Sequence, residues 1–286
     1  MGSWKAVVGD LQAALRKLLS GVIGGLLLGC STVGTVGMVE TVPRVSVGAN
    51  RSGLEVGAIK SEGPSVQGAI GTVPTRTVIE VKRVGKQGNT EGRYFIRASG
   101  TVQVVSIERA GDYPEMAENV AKWRKLVASP SVLGASEQEM LDTTRLPEVP
   151  GMNAARVFHG KLRRSRFAWG DAVWFLTSYV QGGTGGPVNN AMLVLVIQGL
   201  TKDGRYAVNG RLEIGHPSLP DSSWDERQKG MALFAIDDEG KEAQEWLDAQ
   251  GDDEFTPSFS QYEAFLGALR ISPGEPLGLA ASEPVD

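Results

Sequence analysis

The side chains with most chemistry to offer here are two histidines, one cysteine and 33 carboxylates. An imidazole base can come only from His159 or His216, and a hydrolytic serine needs such a base within hydrogen-bond reach. No Gly-x-Ser-x-Gly elbow marks a serine of that kind. His159 stands between Phe158 and Gly160 in a run that reads as strand, an ordinary setting for a structural histidine. His216 opens the turn-like segment His-Pro-Ser-Leu-Pro, where its ring caps the turn or lines a cleft. Zinc needs three or four ligands, which two separated histidines and one cysteine do not supply. Asp237-Asp238-Glu239-Gly240 and Asp252-Asp253-Glu254 lack the alternating spacing of a calcium loop and read as solvated acidic segments. Gly182-Gly183-Thr184-Gly185-Gly186 lacks the Gly-Lys-Ser/Thr ending of a phosphate-binding loop.

The expectation is therefore that there is no catalytic residue, no metal site and no cofactor. Paired carboxylates can hydrolyse glycosidic bonds, but acidic residues are so abundant that their presence singles out no pair. The better candidates are contact residues: Trp169, Trp174, Asn189, Asn190 and His216. Trp169, Trp174 and Tyr179 could present an aromatic face to a sugar or peptide. Positions 174 and 179 are an odd number of residues apart, so on a strand they point to opposite faces and one belongs to the core.

Around these residues the pattern is mostly strand. Residues 76–83 and 101–107 are rich in β-branched side chains, with Tyr94–Arg97 between them and a turn or bulge at Ser99-Gly100. Met116, Val120, Trp123 and Val127 recur at helical spacing after Pro114, and Ser129-Pro130 ends that helix. Ser136 and Glu139 resemble a capping box for a second short helix. Residues 156–162 and 172–180 read as strands near a Gly-Asp turn at 170–171. Met192 to Ile197 is apolar throughout and reads as a central strand buried on both faces. Lys202-Asp203-Gly204 turns it into a strand over 206–214. Helical spacing returns over 241–250 and 258–269. The expected fold class is α+β: mostly antiparallel sheet with helices packed on one face, divided into subdomains 76–146 and 151–272, followed by a disordered tail from 273.

The chain has 286 residues and a net charge of −4. Lys5, Arg16 and Lys17 stand against Asp10 in the first 29 residues, which leaves 26 basic against 32 acidic residues in the rest. A mildly acidic body argues against nucleic acid as a partner. Lys161, Arg163, Arg164 and Arg166 form the one concentrated basic group, read as a solvated strand face.

After the basic residues, positions 18–29 carry no charge. As a helix they would span about 18 Å, short of the roughly 30 Å bilayer core but within the length of an export-signal apolar region. Leu27-Leu28-Gly29-Cys30 follows, and Cys30 is the only cysteine. This stretch resembles the lipobox of bacterial lipoproteins. The resemblance implies cleavage between Gly29 and Cys30, a diacylglycerol on the Cys30 thiol and further acylation (palmitate or a similar chain) at the new amino terminus. Two or three acyl chains anchor stably where one is marginal. Ser31 stands where that family's inner-membrane proteins carry aspartate, which favours an outer-membrane destination in a diderm organism. Residues 30–75, rich in Gly, Ser, Thr and Val, read as a flexible tether, with alternation at Leu54, Val56 and Ile59 offering a short strand instead.

Asn189-Asn190, then Gln198-Gly199-Leu200-Thr201-Lys202-Asp203-Gly204-Arg205-Tyr206, then His216-Pro217-Ser218-Leu219-Pro220 resemble a pattern in uncharacterised bacterial envelope lipoproteins. That resemblance implies an envelope location and no particular activity. The expectation is a lipid-anchored envelope protein with a non-catalytic binding or structural role and a protein or envelope-glycan partner. The alternatives are an envelope hydrolase using carboxylates and an immunity-type protein that binds a toxin.

Overall fold

The computed structural model describes residues 41–49, 52–67, 71–83, 100–128, 146–151, 154–180, 188–221 and 240–274. Their elements run in the order β1 (Arg44–Val47), β2 (Leu54–Glu62), β3 (Ser65–Gln67), β4 (Gly71–Val73), β5 (Arg76–Arg83), β6 (Thr101–Ser106), α1 (Pro114–Ala128), β7 (Ala155–Arg156), β8 (Gly160–Arg166), β9 (Gly170–Thr177), β10 (Tyr179–Val180), β11 (Val194–Thr201), β12 (Tyr206–Glu213), α2 (Lys241–Ala249), α3 (Phe259–Ala268) and β13 (Leu269–Ser272). Seven strands form one antiparallel sheet in the order β2-β5-β6-β12-β11-β9-β8. Three two-stranded ribbons, β1-β13, β7-β10 and β3-β4, accompany it. The fold is α+β and mostly antiparallel, as its sequence pattern indicates.

β11 lies between β12 and β9, and all eight of its residues are buried. An unbroken apolar run suits this place, because both its faces are covered and both its edges are paired. The hairpin to β12 closes through Gly204, whose positive φ of 68° suits glycine. Asp203 supports that turn by accepting from the Thr201 hydroxyl (2.6 Å) and the Arg205 amide (3.1 Å). Gly170 starts β9 because the backbone leaves no room for more: a Cβ there would sit 1.9 Å from the Leu200 carbonyl oxygen. At α3, Ser258 and Gln261 form a reciprocal capping box that satisfies two end donors.

Alternate strand residues feed two cores. On one face Leu176, Trp174, Leu195, Ile197, Tyr206, Val208 and Val102 meet α2 and α3 through Leu247, Phe259, Tyr262, Phe265 and Leu266. On the other, Val173, Phe175, Val194, Val196 and Ala207 meet α1 through Met116, Val120 and Trp123, together with Leu146 and Val149. The one-face arrangement of helices thus describes α2 and α3, while α1 covers the opposite face. A fully buried central strand requires a cover on each side.

Several boundaries differ from the sequence reading. Within the tether assigned to 30–75, Arg44–Val47, Leu54–Glu62, Ser65–Gln67 and Gly71–Val73 are strands. β2 extends the sheet beside β5, shifting register between Val56 and Ile59, so the alternation at Leu54, Val56 and Ile59 is strand after all. The division at 146–151 runs through one continuous sheet, since β6 pairs with β12. The Gly-Asp pair at 170–171 belongs to β9 rather than to a turn. The chain reverses at 167–169, where the Phe167 amide donates to Gly170 oxygen (2.8 Å). The expected strands 156–162 and 172–180 are each interrupted, at 157–159 and at Ser178, and their outer pieces pair separately as β7 and β10. The described chain runs through Gly274, and residues 275–286 of the expected tail lie outside it. Tyr94–Arg97, Ser136, Glu139 and the Gly182–Gly186 loop lie outside the described residues.

Candidate functional site

A connected polar group lies on the α1 face. Residues 146–151 cross this face without regular structure. An irregular segment in a core brings main-chain groups that have no ladder to pair with. Side chains from the surrounding elements supply the partners. Gln198 of β11 accepts from the Val149 amide through Oε1 (3.1 Å). Asn209 of β12 donates to the Pro150 oxygen (3.4 Å), and Asn119 of α1 donates to the Glu148 oxygen (3.2 Å). Arg156 of β7 donates to the Leu146 oxygen.

The Glu148 side chain completes the fastening. Its Oε1 receives Arg211 Nε at 3.1 Å, Arg211 Nη2 at 2.5 Å and the Tyr179 hydroxyl at 3.0 Å. Burial opposes the Arg211 charge, but the Glu148 carboxylate and Tyr179 outweigh it and raise the guanidinium pKa. Burial and the Glu148 charge push the Tyr179 phenol well above its ordinary value. The trio is thus an ion pair with a neutral phenol donor.

His159 sits beside this group and is buried. Its ring meets Phe175 edge-on at 4.9 Å, and the Arg156 guanidinium lies 5.6 Å from the same Phe175 ring. Burial, reinforced by the Arg156 charge, lowers the His159 pKa to about 4. His159 Nε2, Arg156 Nη1 and Gln198 Nε2 are buried and find no hydrogen-bond partner among the described residues. His159 is therefore a neutral imidazole at physiological pH, fixed by packing.

The five contact candidates are brought together only in part. Asn189, Asn190 and His216 form one motif. Asn190 Nδ2 donates to the carbonyls of His216 (3.1 Å) and Leu219 (3.0 Å), and its Oδ1 accepts from the His216 amide (2.8 Å). Asn189 Oδ1 accepts from the Met192 amide (3.1 Å). His216 Nδ1 accepts from the Ser218 amide (3.2 Å), so the ring caps its own turn. The ring packs edge-on against Trp246 at 4.9 Å and Phe255 at 5.1 Å. Burial lowers its pKa, partly opposed by the Glu254 carboxylate.

Trp174 and Trp169 are buried elsewhere, and each indole N–H is engaged. Trp174 Nε1 donates to the Ser165 hydroxyl (3.0 Å) and Trp169 Nε1 to the Leu266 oxygen (2.8 Å). Tyr179, on β10 beyond the break at Ser178, packs against the core opposite that of Trp174. Gly29 and Cys30 lie outside the described residues.

The basic group at 161–166 is ion-paired rather than simply solvated. Arg163 makes a two-pronged contact with Asp252, both at 2.8 Å, and lies 4.2 Å over the Phe259 ring. Lys161 also reaches Asp252 (3.6 Å), and Arg164 and Arg166 share Asp171. Of the acidic run at 252–254, Asp252 takes these contacts, and its pKa is lowered chiefly by the Arg163 hydrogen bond. Among the described residues, no group of three His, Cys, Asp or Glu is placed to hold a metal ion.

Sequence reasoning missed Glu148, Arg156, Gln198, Asn209 and Arg211. A signal was present in β12, where Asn209 and Arg211 fall two apart on the α1 face of a strand whose neighbours are buried. Comparison with known proteins finds no matching family model, no similar curated protein and no similar solved structure.

Proposed function

We propose that this chain is a lipid-anchored envelope protein whose folded domain binds a partner and carries out no catalysis. The observation that carries the anchoring is the order of residues 1–30: basic residues, an uncharged apolar run, Gly29, then the only cysteine.

The non-catalytic reading draws on what occupies the titratable groups. Both histidines are buried against aromatic rings with their pKa lowered. Glu62, Glu108, Glu148, Asp171 and Asp252 are each paired with an arginine. A glycosidase needs one carboxyl group kept protonated and another poised beside it. Hydrogen bonds from Arg163 lower the Asp252 pKa, and against the effect of burial hydrogen bonds from Thr41 and Arg205 lower that of Glu108, which speaks against either serving as the protonated partner.

The decisive experiment combines fractionation with mass spectrometry of the amino-terminal peptide. Wild type should partition with membranes and carry acyl mass on Cys30, while Cys30→Ala should lose both. A wild-type chain without lipid, or a Cys30→Ala chain still retained through a covalent acyl group, would overturn the anchoring.

A further inference from the structure

The seven-stranded sheet ends in β8 on one side and β2 on the other, and the two edges differ. At β8 the helix α2 closes the edge. The Lys161 amide donates to the Asp248 carboxylate, Lys161 Nζ donates to the Asp248 carbonyl (3.1 Å), and Lys161 takes a left-handed φ of 54°. β2 is nine residues long and, among the described residues, pairs with β5 alone. Its outer edge offers main-chain donors and acceptors to a further strand. On β2 stands Ile59, 43% exposed and the one exposed large apolar side chain among the described residues.

The side chains of β2 are their own complement. Val56 stands opposite Val81 and Ile59 opposite Ile79, both core residues, whereas Glu55 stands opposite Lys82 and Lys60 opposite Val78. Directly opposed residues share a face. Val56 and Ile59 therefore lie on the core face, and Glu55 and Lys60 on the other. On a regular strand, residues three apart point to opposite faces; the bulge between Val56 and Ile59 supplies the extra residue that brings them to one. An antiparallel copy of β2 centred between Gly57 and Ala58 sets Val56 against Ile59 on one face and Glu55 against Lys60 on the other. The two-fold makes each contact twice. A slip of two residues sets Glu55 against Glu62 instead. Glu55 is exposed, and Lys60 meets Glu80 at 3.4 Å with 65% of its side chain still exposed, so its ammonium keeps donors to spare.

We infer that β2 pairs with β2 of a second copy of this chain, joining two sheets across a two-fold axis. Such a contact uses the same patch on both copies. A bulge and a lysine keep an edge strand from pairing indiscriminately; here they also select one register. The pairing needs no lipid, so it stands or falls apart from the anchor. Edges of nine residues make a small interface, and the dimer should be weak, with a dissociation constant on the order of 10 μM.

Sedimentation equilibrium of the full chain, in detergent matched to the solvent density, reads the monomer–dimer equilibrium. Glu55→Lys and Lys60→Glu each put like charges opposite one another at both sites, and each should weaken the dimer roughly 30-fold. An equimolar mixture of the two variants restores opposite charges at both sites and should associate like the parent. The Lys60–Glu80 contact stays broken in Lys60→Glu, so recovery in the mixture must come from the contact between copies. Ile59→Thr keeps a β-branched strand residue and should weaken the dimer roughly tenfold. All three sites are exposed, and thermal midpoints equal to the parent's establish that the variants fold.

A full chain that stays monomeric well above that concentration would overturn the inference, and protection of the β2 edge amides in such a monomer would assign the edge to a segment of the same chain. A dimer that both charge variants leave unchanged would also overturn it. So would a mixture that associates no better than its components. If Cys30 carries no acyl group but the mixture still recovers the dimer, the pairing stands and the anchor falls.

Discussion

The two faces of the central sheet solve different problems. On the α2 and α3 side the sheet meets helices, which satisfy their own main-chain groups, so the contact is apolar: Trp174, Leu195, Phe259 and Phe265 with their neighbours. On the α1 side the sheet also meets residues 146–151, which make no ladder of their own, and the strands there carry Gln198, Asn209 and Arg211 among Val173, Phe175 and Val196. What covers a sheet face decides the polarity of that face. A helix asks for volume, whereas an irregular segment asks for hydrogen-bond partners.

The largest effects should come from the apolar face. Phe265 is fully buried, and Phe265→Ala should cost about 3–5 kcal/mol of unfolding free energy in urea titration. The polar face should respond differently. Arg211→Met leaves the Glu148 carboxylate buried and short of its cation, at a cost of about 3 kcal/mol. Adding Glu148→Gln removes the stranded charge and should recover a substantial part of that loss. If the double variant is as unstable as the sum of the two singles, the Glu148–Arg211 pair is not the unit that fastens the segment.

His159 separates the faces by pH. Its pKa is lowered to about 4 by burial and then by Arg156, against 6.5 for an ordinary histidine. The unfolded chain therefore binds a proton that the folded chain refuses between those values. The stability owed to the neutral ring is complete above pH 6.5 and is lost as pH falls through 4. Lowering the pH from 7 to 4.5 should cost roughly 2–3 kcal/mol through this group, at about 1.4 kcal/mol per pH unit. His159→Phe keeps a ring against Phe175 and removes the titration, so its stability should lose that part of the slope while matching wild type within about 1.5 kcal/mol at pH 7.5. An unchanged slope in the variant would show that His159 is not the group responsible.

The elements of both faces were legible wherever local pattern decides them. The apolar run at 192–197 marks the central strand, Pro114 with Met116, Val120 and Trp123 marks α1, and helical spacing over 258–269 marks α3. The site on the α1 face was not legible, because its members are local only in pairs. Glu148 and Arg211 are 63 residues apart, and Gln198 is 49 from Val149. No periodicity reports a contact of that kind. Thr41 shows the same limit from the other side: its segment has tether composition, yet its hydroxyl donates to Glu108 (2.7 Å) and contacts the Tyr206 hydroxyl at 3.0 Å. Composition describes what a segment prefers alone, and the sheet supplies partners that override it.

The smallest effect sharpens the comparison, because it asks whether the apolar face also depends on polar fastening. Residues 215–219 form a turn at the edge of that face, held by Asn190 through two carbonyls and one amide. His216 in this turn sets its ring between Trp246 and Phe255. Asn190→Ala removes four hydrogen bonds, the weakest to Asp221 Oδ1 at 3.5 Å, at a half-buried position where water replaces part of what is lost. The expected cost is about 1–2 kcal/mol, with faster exchange of the Leu219 amide, which donates to His216 oxygen (3.0 Å). Asn190→Asp should cost more than Asn190→Ala. It keeps the acceptor for the His216 amide but turns a carboxylate oxygen toward two carbonyls that need a donor. A loss within about 0.5 kcal/mol for both variants would mean that aromatic packing alone positions the turn. Hydrogen-bond fastening would then be confined to the α1 face.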